Sequence, residues 1–173
     1  MESGNGKQRW LYVLRGALTL SCVAMLAFIF VNSLQSGEET SARSLSVTLS
    51  LQKFFRVIAP SSFIATATGE AFEILHSAVR TFAHFCEFAL LGALLFWCCR
   101  SYTDKKIYFL IPASLVLLTP IVDEFLQLLS DGRVADVQDV FIDVLGGVFG
   151  ALFATFTLFI GMKIQSRQRA KGE

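Results

Sequence analysis

Four apolar runs, each long enough to cross a bilayer, constrain this chain more than any other feature. They cover about 11–31, 81–99, 107–129 and 137–162. A helix of about 20 apolar residues spans a hydrocarbon core roughly 30 Å thick. Lipid supplies no hydrogen bonds to the peptide backbone, so long apolar runs there become helices, which satisfy their own polar groups. The expected fold is all-α, an integral membrane four-helix bundle. Composition agrees: 54% of residues are hydrophobic and mean hydropathy is +0.58, above the roughly 45–50% apolar content of a soluble domain. With 173 residues, the chain reads as a single membrane domain over 1–173.

The first run has a competing reading. Lys7 and Arg9 precede it, as basic residues precede the apolar core of a secretory signal peptide. The run is long for such a core, and 32–36 (NSLQS) lacks the small-residue pattern of a cleavage site. It is read as a retained first span. Cys22, Cys86, Cys98 and Cys99 all lie inside apolar runs, without the spacing of a zinc site or a disulfide framework. They are expected to behave as small hydrophobes. The seventeen Phe residues suit lipid-facing surfaces.

The stretch 32–80 does not span. It opens with the polar NSLQSGEETSARS, and then Val47, Leu51, Phe54, Phe55 and Ile58 recur at helical spacing between Ser50, Lys53 and Arg56. That pattern predicts an amphipathic helix at the membrane interface, ended by Pro60. Leu45, Val47, Leu49 and Leu51 also alternate, which leaves a strand open at its start. Residues 70–77 predict a further short helix. Pro112 and Pro120 are expected to kink the third span. Ala89, Gly92 and Ala93, and Gly146-x-x-x-Gly150, are small-residue faces that admit a close neighbour.

Charge orients the bundle. The N-terminus, the loop after the second span and the C-terminus hold ten Lys/Arg and three Asp/Glu; the remainder of the chain holds five and eleven. Basic residues near span ends mark the cytoplasmic side. Both termini are expected inside, with the amphipathic loop and the 130–136 turn outside. Every unusual polar group then falls at the outer membrane face. Residues three, four and seven apart share a helix face, so Arg80, His84 and Glu87 form one stripe. Gln127 shares a face with Asp123 and with Glu124, and Asp136, Asp139 and Asp143 form a third stripe. Glu87 and Asp143 would sit roughly 10 Å below the outer end at 1.5 Å per residue. At that depth they are expected to face a bundle interior or a water-filled cavity.

The segment NSLQSGEETSARS, then Arg80-Thr-Phe-Ala-His84-Phe-Cys-Glu87-Phe-Ala-Leu-Leu-Gly92, resembles the VanZ-like family of small bacterial membrane proteins. So does the series Asp123-Glu124-x-x-Gln127, Gly132-Arg133, Asp139-x-x-x-Asp143-x-x-Gly146-x-x-x-Gly150. Thr81 stands where the family usually has Lys, and Phe88 where it has Tyr. The resemblance implies a cell-envelope protein of the bacterial cytoplasmic membrane. The founding member is associated with low-level resistance to the glycopeptide teicoplanin.

Two chemistries fit the polar set. His84 with Glu87 reads as a general base and its orienting carboxylate, or as metal ligands, against an interhelical hydrogen bond that merely locks the bundle. Asp123, Glu124, Asp139 and Asp143 are candidates to assist catalysis or to hold a divalent cation, and an oxygen-rich set suits Mg, Ca or Mn. The alternative pairs them with Arg80 and Arg133, but two arginines do not neutralise all of these carboxylates. Arg80 and Arg133 are candidate clamps for an anionic head group. Gln35 and Ser36, with Ser33, are candidate contacts to it, as is Gln127; the alternative for the serines is helix capping. No P-loop, nucleophile elbow or dinucleotide fingerprint is present, and nothing supports nucleic-acid binding. The expected partners are membrane lipids and a lipid-linked envelope precursor or polymer, acted on by an enzyme; the alternatives are a non-catalytic protein that binds or translocates a lipid or glycopeptide, and a membrane scaffold that binds a partner.

Overall fold

The computed structural model describes residues 2–133 and 136–169. Among the described residues six α-helices follow one another: α1 (Glu2–Ser33), α2 (Gly37–Ile58), α3 (Phe63–Thr66), α4 (Glu70–Tyr102), α5 (Leu110–Gln127) and α6 (Val137–Arg169). A 3₁₀ turn, Lys106–Phe109, leads into α5. The chain is 87% helical with no strand among the described residues. Four helices are long and apolar enough to span a membrane, over Gln8–Ser33, Glu70–Tyr102, Leu110–Gln127 and Val137–Gln168. Lys171, one of the basic residues expected to mark the cytoplasmic side, lies outside the described residues.

The interior and exterior are distributed as lipid demands. Asp123, Gln127 and Asp143 are each 1% exposed, while Phe125, Phe141, Phe149, Phe156 and Phe159 all lie on the exterior. In water such an outer surface would be a large apolar patch. In lipid it is solvated, and the buried polar side chains are the groups that must find partners inside.

The bundle is organised around α4 and α6, which share the largest contact in the structure. They run parallel: Phe85 meets Phe149, and farther along Trp97 meets Phe153 edge-on and donates from Nε1 to Thr157 Oγ1 at 3.0 Å. Glycine permits the close approach. A Cβ on Gly146 would strike the Phe85 carbonyl, one on Gly92 the Gly147 carbonyl, and one on Gly150 the backbone of Ala89 and Ala93. The small-residue faces expected in the second and fourth spans thus pack against each other. α1 lies antiparallel along α4, with Arg15 donating to the Ser101 carbonyl at 2.8 Å and Thr19 bonded to Tyr102 at 3.0 Å. Cys22, Ile29, Phe88, Leu91, Leu95 and Val116 form the apolar centre between α1, α4 and α5.

Some local expectations shift. The short helix expected over 70–77 is continuous with the helix of the second span, making α4 33 residues long, or about 50 Å. Pro112 sits at the third position of α5, where a missing N–H breaks no intrahelical bond, and Pro120 lies buried inside that helix. The amphipathic helix starts at Gly37, ten residues before its apolar pattern, and excludes the strand. Its start was legible: Ser36 accepts from Glu39 N at 3.2 Å, and Ser-x-x-Glu is the sequence of a capping box. α2 turns polar Thr48 and Gln52 inward, and leaves Val47, Phe54, Val57 and Ile58 exposed. Gln52 holds it in place by donating to the Ala67 carbonyl at 2.8 Å.

Candidate functional site

One end of the bundle collects the polar groups. The α5–α6 turn is stapled beneath the start of α2. Ser130 Oγ donates to the Ser33 carbonyl at 2.8 Å, and Gly37 N donates to the Asp131 carbonyl at 3.0 Å. Gly132 supplies the turn's left-handed backbone, φ 71°, a conformation glycine adopts without steric penalty.

A cavity of about 170 Å³ opens at this end. The end of α1 contributes Ile29, Asn32 and Ser33, α2 contributes Thr40, Arg43, Ser44 and Val47, and α4 contributes Arg80, Ala83, His84 and Glu87. Asp123 of α5 and Arg133 of the turn complete the wall.

Asp123 is the most firmly held member. Its Oδ1 accepts from the Ser33 hydroxyl and its Oδ2 from Gln127 Nε2 at 2.9 Å. Ser33 and Gln127, both read as substrate contacts, therefore position this carboxylate. His84, with 21% of its side chain exposed, points Nδ1 at Asp143 Oδ1, 3.8 Å away. Asp143, from α6, is thus the carboxylate beside the imidazole; Glu87 lines the cavity, and no hydrogen bond or ion pair joins it to His84 among the described residues. Neither His84 Nδ1 nor Asp143 Oδ1 makes a hydrogen bond, and both are buried. His84, Asp123 and Asp143 each offer one ligand atom within 4.8 Å of the others.

The remaining candidates have other placements. Glu124 Oε1 accepts from Asp136 N at 2.5 Å. It thereby satisfies a backbone donor at the start of α6, a local role. Asp139 stands in the first turn of α6, half-buried and outside the cavity lining. Ser36 caps α2, and Gln35, half-buried, leaves its buried Oε1 without a hydrogen bond. Arg133 donates to the Asn32 carbonyl at 3.5 Å, leaving Nε and Nη1 unbonded. Partial burial lowers its guanidinium pKa, as does neighbouring Arg80, against the pull of Asp123, Glu124 and Asp139. An arginine remains charged through such a shift, so an anion beside it is favoured.

Sequence reasoning missed the contribution of α2. Thr40, Arg43, Ser44 and Val47 face the cavity at i, i+3, i+4 and i+7, the spacing of one helix face. Arg43 donates to Asn32 Oδ1 at 3.2 Å, and Ser44 Oγ lies 2.7 Å from His76 Nε2 of α4. The capping box at Ser36 would have extended the helix far enough to place them.

The residues that converge here are those of the motifs: Asp123, Gln127, Gly132-Arg133 and Asp143 meet Arg80, His84 and Glu87 at one cavity end. A family model described as VanZ/LLP1 matches residues 18–159.

The chain belongs to the VanZ/LLP1 family.

The match runs from α1 into α6 and includes every element of the cavity wall. Nothing among curated proteins or solved structures matches the chain. As a member of the VanZ/LLP1 family with four apolar spans, it is a multi-pass membrane protein.

Proposed function

We propose that this VanZ/LLP1 protein works at the outer face of the bacterial cytoplasmic membrane, where its cavity takes the anionic head group of an amphiphilic envelope substrate. One observation carries the reading: Arg43, Arg80 and Arg133 reach the cavity from three separate elements and line it together with His84, Glu87 and Asp123. Guanidiniums bind phosphate and carboxylate groups through paired hydrogen bonds. Pockets that enclose a drug-sized ligand run to roughly 300–1,000 Å³. A cavity of about 170 Å³ suits a head group, with the chains or polymer left outside. A lipid-linked precursor or lipid-anchored polymer has this form, and altering one is the route by which the protein would contribute to teicoplanin resistance.

In the catalytic form of the reading, His84 exchanges protons with the substrate, with the Asp143 carboxylate facing its Nδ1 at 3.8 Å. Asp123 supplies fixed negative charge beside it, and the arginines hold the anionic group. Binding or translocation without chemistry is the second reading. It is favoured by the local engagement of Gln127 and Glu124, which leaves fewer free carboxylates than the sequence offers.

The test compares drug susceptibility and envelope-lipid composition in cells expressing wild type, His84→Ala and Arg80→Ala at matched membrane levels. The reading expects wild type to shift susceptibility together with one lipid or polymer species, and both variants to lose both shifts. Variants that act like wild type would make the cluster a packing device. If His84→Ala loses the chemical change yet still binds the affected species, the catalytic form is favoured. A wild type that binds that species and never alters it favours the second reading.

The charge asymmetry supports a topology with both termini in the cytoplasm. A cysteine at exposed Asp131 is expected to react with an impermeant maleimide in intact cells, and one at Thr103 only after lysis. The wild type, whose four cysteines lie within the spans, is the background. The reverse labelling pattern would put the cavity on the cytoplasmic side.

A further inference from the structure

We infer that His84, Asp123 and Asp143 form a binding site for one first-row divalent cation of the zinc or manganese class. The inference deepens the proposed function and rests on it for the use of the site, though not for its occupancy. The three side chains come from α4, α5 and α6, and their ligand atoms lie within 4.8 Å of one another. Zinc bonds to imidazole nitrogen and carboxylate oxygen are about 2.0–2.2 Å long. Donors on a shared ion of that size are therefore about 3–4.4 Å apart. The His84 Nδ1 to Asp143 Oδ1 separation of 3.8 Å falls inside this window and is too long for a hydrogen bond.

An independent observation points to a ligand. Asp143 is 1% exposed, and its Oδ1, directed at the imidazole, has no hydrogen-bond partner; nor has His84 Nδ1. Buried polar atoms are almost always satisfied. Neither Arg80 nor Arg133 forms an ion pair with Asp123 or Asp143 among the described residues. A dication between two carboxylates and a neutral imidazole satisfies the open atoms and cancels the buried charge. The surroundings also resemble a supported ligand set. Ser33 and Gln127 fix Asp123 through its two oxygens, as outer-shell partners fix metal-bound carboxylates. The imidazole favours a transition metal over the calcium or magnesium that carboxylates alone would suit. The proposed set joins His84, offered from sequence with Glu87 as a metal ligand, to Asp123 and Asp143 of the carboxylates Asp123, Glu124, Asp139 and Asp143.

The test is a titration of the purified full chain in nanodiscs with Co²⁺, followed by its visible absorption and by Zn²⁺ competition. Wild type is expected to bind one equivalent. His84→Ala and Asp143→Asn should each weaken binding by more than about 100-fold, and Ser33→Ala by about tenfold, the scale of second-shell losses. Glu73→Gln, at an exposed position of α4 outside the cavity lining, should stay within about twofold. Circular dichroism confirms that each compared variant is folded. If a ligand variant fails to fold, the wild-type stoichiometry and the Ser33→Ala change decide. A wild type without one-equivalent binding overturns the site, as does binding untouched by the ligand variants or weakened equally by Glu73→Gln. The two proposals fail separately: lost susceptibility shifts without any cation binding sink the metal site alone. Cation binding with susceptibility indifferent to His84 sinks the functional reading alone.

Discussion

Gly150→Ala is expected to destabilise the bundle by about 3 kcal/mol, at the upper end of ordinary overpacking. The added Cβ would fall on the Ala89 carbonyl oxygen and lie 2.8 Å from Ala93 N. Both obstacles are backbone, so no side-chain rotation relieves the clash; α4 and α6 have to separate. Their separation loses close packing along the largest contact in the structure. In lipid, dispersion across such a contact is a principal source of helix association. The site moves with it, because α4 carries His84 and α6 carries Asp143. The change should therefore also abolish any activity that depends on their 3.8 Å approach. Gly161→Ala is the matched control: a Cβ there meets nothing within 4 Å, and alanine in a helix is favoured over glycine by roughly 0.5–1 kcal/mol. Reversible unfolding in mixed micelles, followed by circular dichroism, measures both. Equal stabilities for Gly150→Ala and wild type would mean that the two helices do not touch at this depth.

Asp123 separates charge from packing. Asp123→Leu is expected to lower stability by about 2 kcal/mol, because the amide of Gln127, 1% exposed, loses its acceptor and is left buried without one. Ser33 suffers less, since its hydroxyl also reaches the Ile29 carbonyl at 2.9 Å. Asp123→Asn should fold within about 1 kcal/mol of wild type. Its amide oxygen still accepts from Ser33, and Gln127 turns its own amide to match the new NH₂. The negative charge is gone all the same, so the susceptibility and lipid shifts should vanish in a protein that remains fully folded. The same micelle unfolding, paired with the cellular assay, tests both halves. An Asn variant that keeps the cellular effect would reduce Asp123 to a structural hydrogen-bond acceptor. A Leu variant as stable as wild type would mean that Gln127 finds another partner.

Much of this architecture was legible in the sequence because lipid narrows the alternatives. A long apolar run in a bilayer has to be a helix, and four of them yield the all-α fold directly. The small residues at Gly92, Gly146 and Gly150 announced where helices approach. The three-to-four-residue spacing of Arg80, His84 and Glu87 put them on one face of α4, and all three line the cavity; of Asp136, Asp139 and Asp143, expected to share a stripe, the first precedes α6 and only the last faces His84.

Tertiary structure alone decided which of these faces meet, and at what depth. Periodicity describes one helix; the rotation and axial offset of two helices come from contacts between residues distant in sequence, here Gly150 against Ala89 and Gly92 against Gly147. Those contacts bring Asp143 to His84; the packing of α5 against α1 brings Asp123 to Ser33, whereas its bond to Gln127 is local to α5. Glu124 is drawn instead to the backbone of Asp136, although it neighbours Asp123 in sequence. Successive helix positions are about 100° apart, so adjacent carboxylates of similar chemistry face different surroundings. The Arg43 face of α2 was likewise present as a pattern, but contacts distant in sequence, Gly37 to Asp131 and Ser44 to His76, hold it over the cavity. Helix content, spans and candidate groups are local properties of the chain, whereas a site is a relation between helices that packing sets to within an ångström.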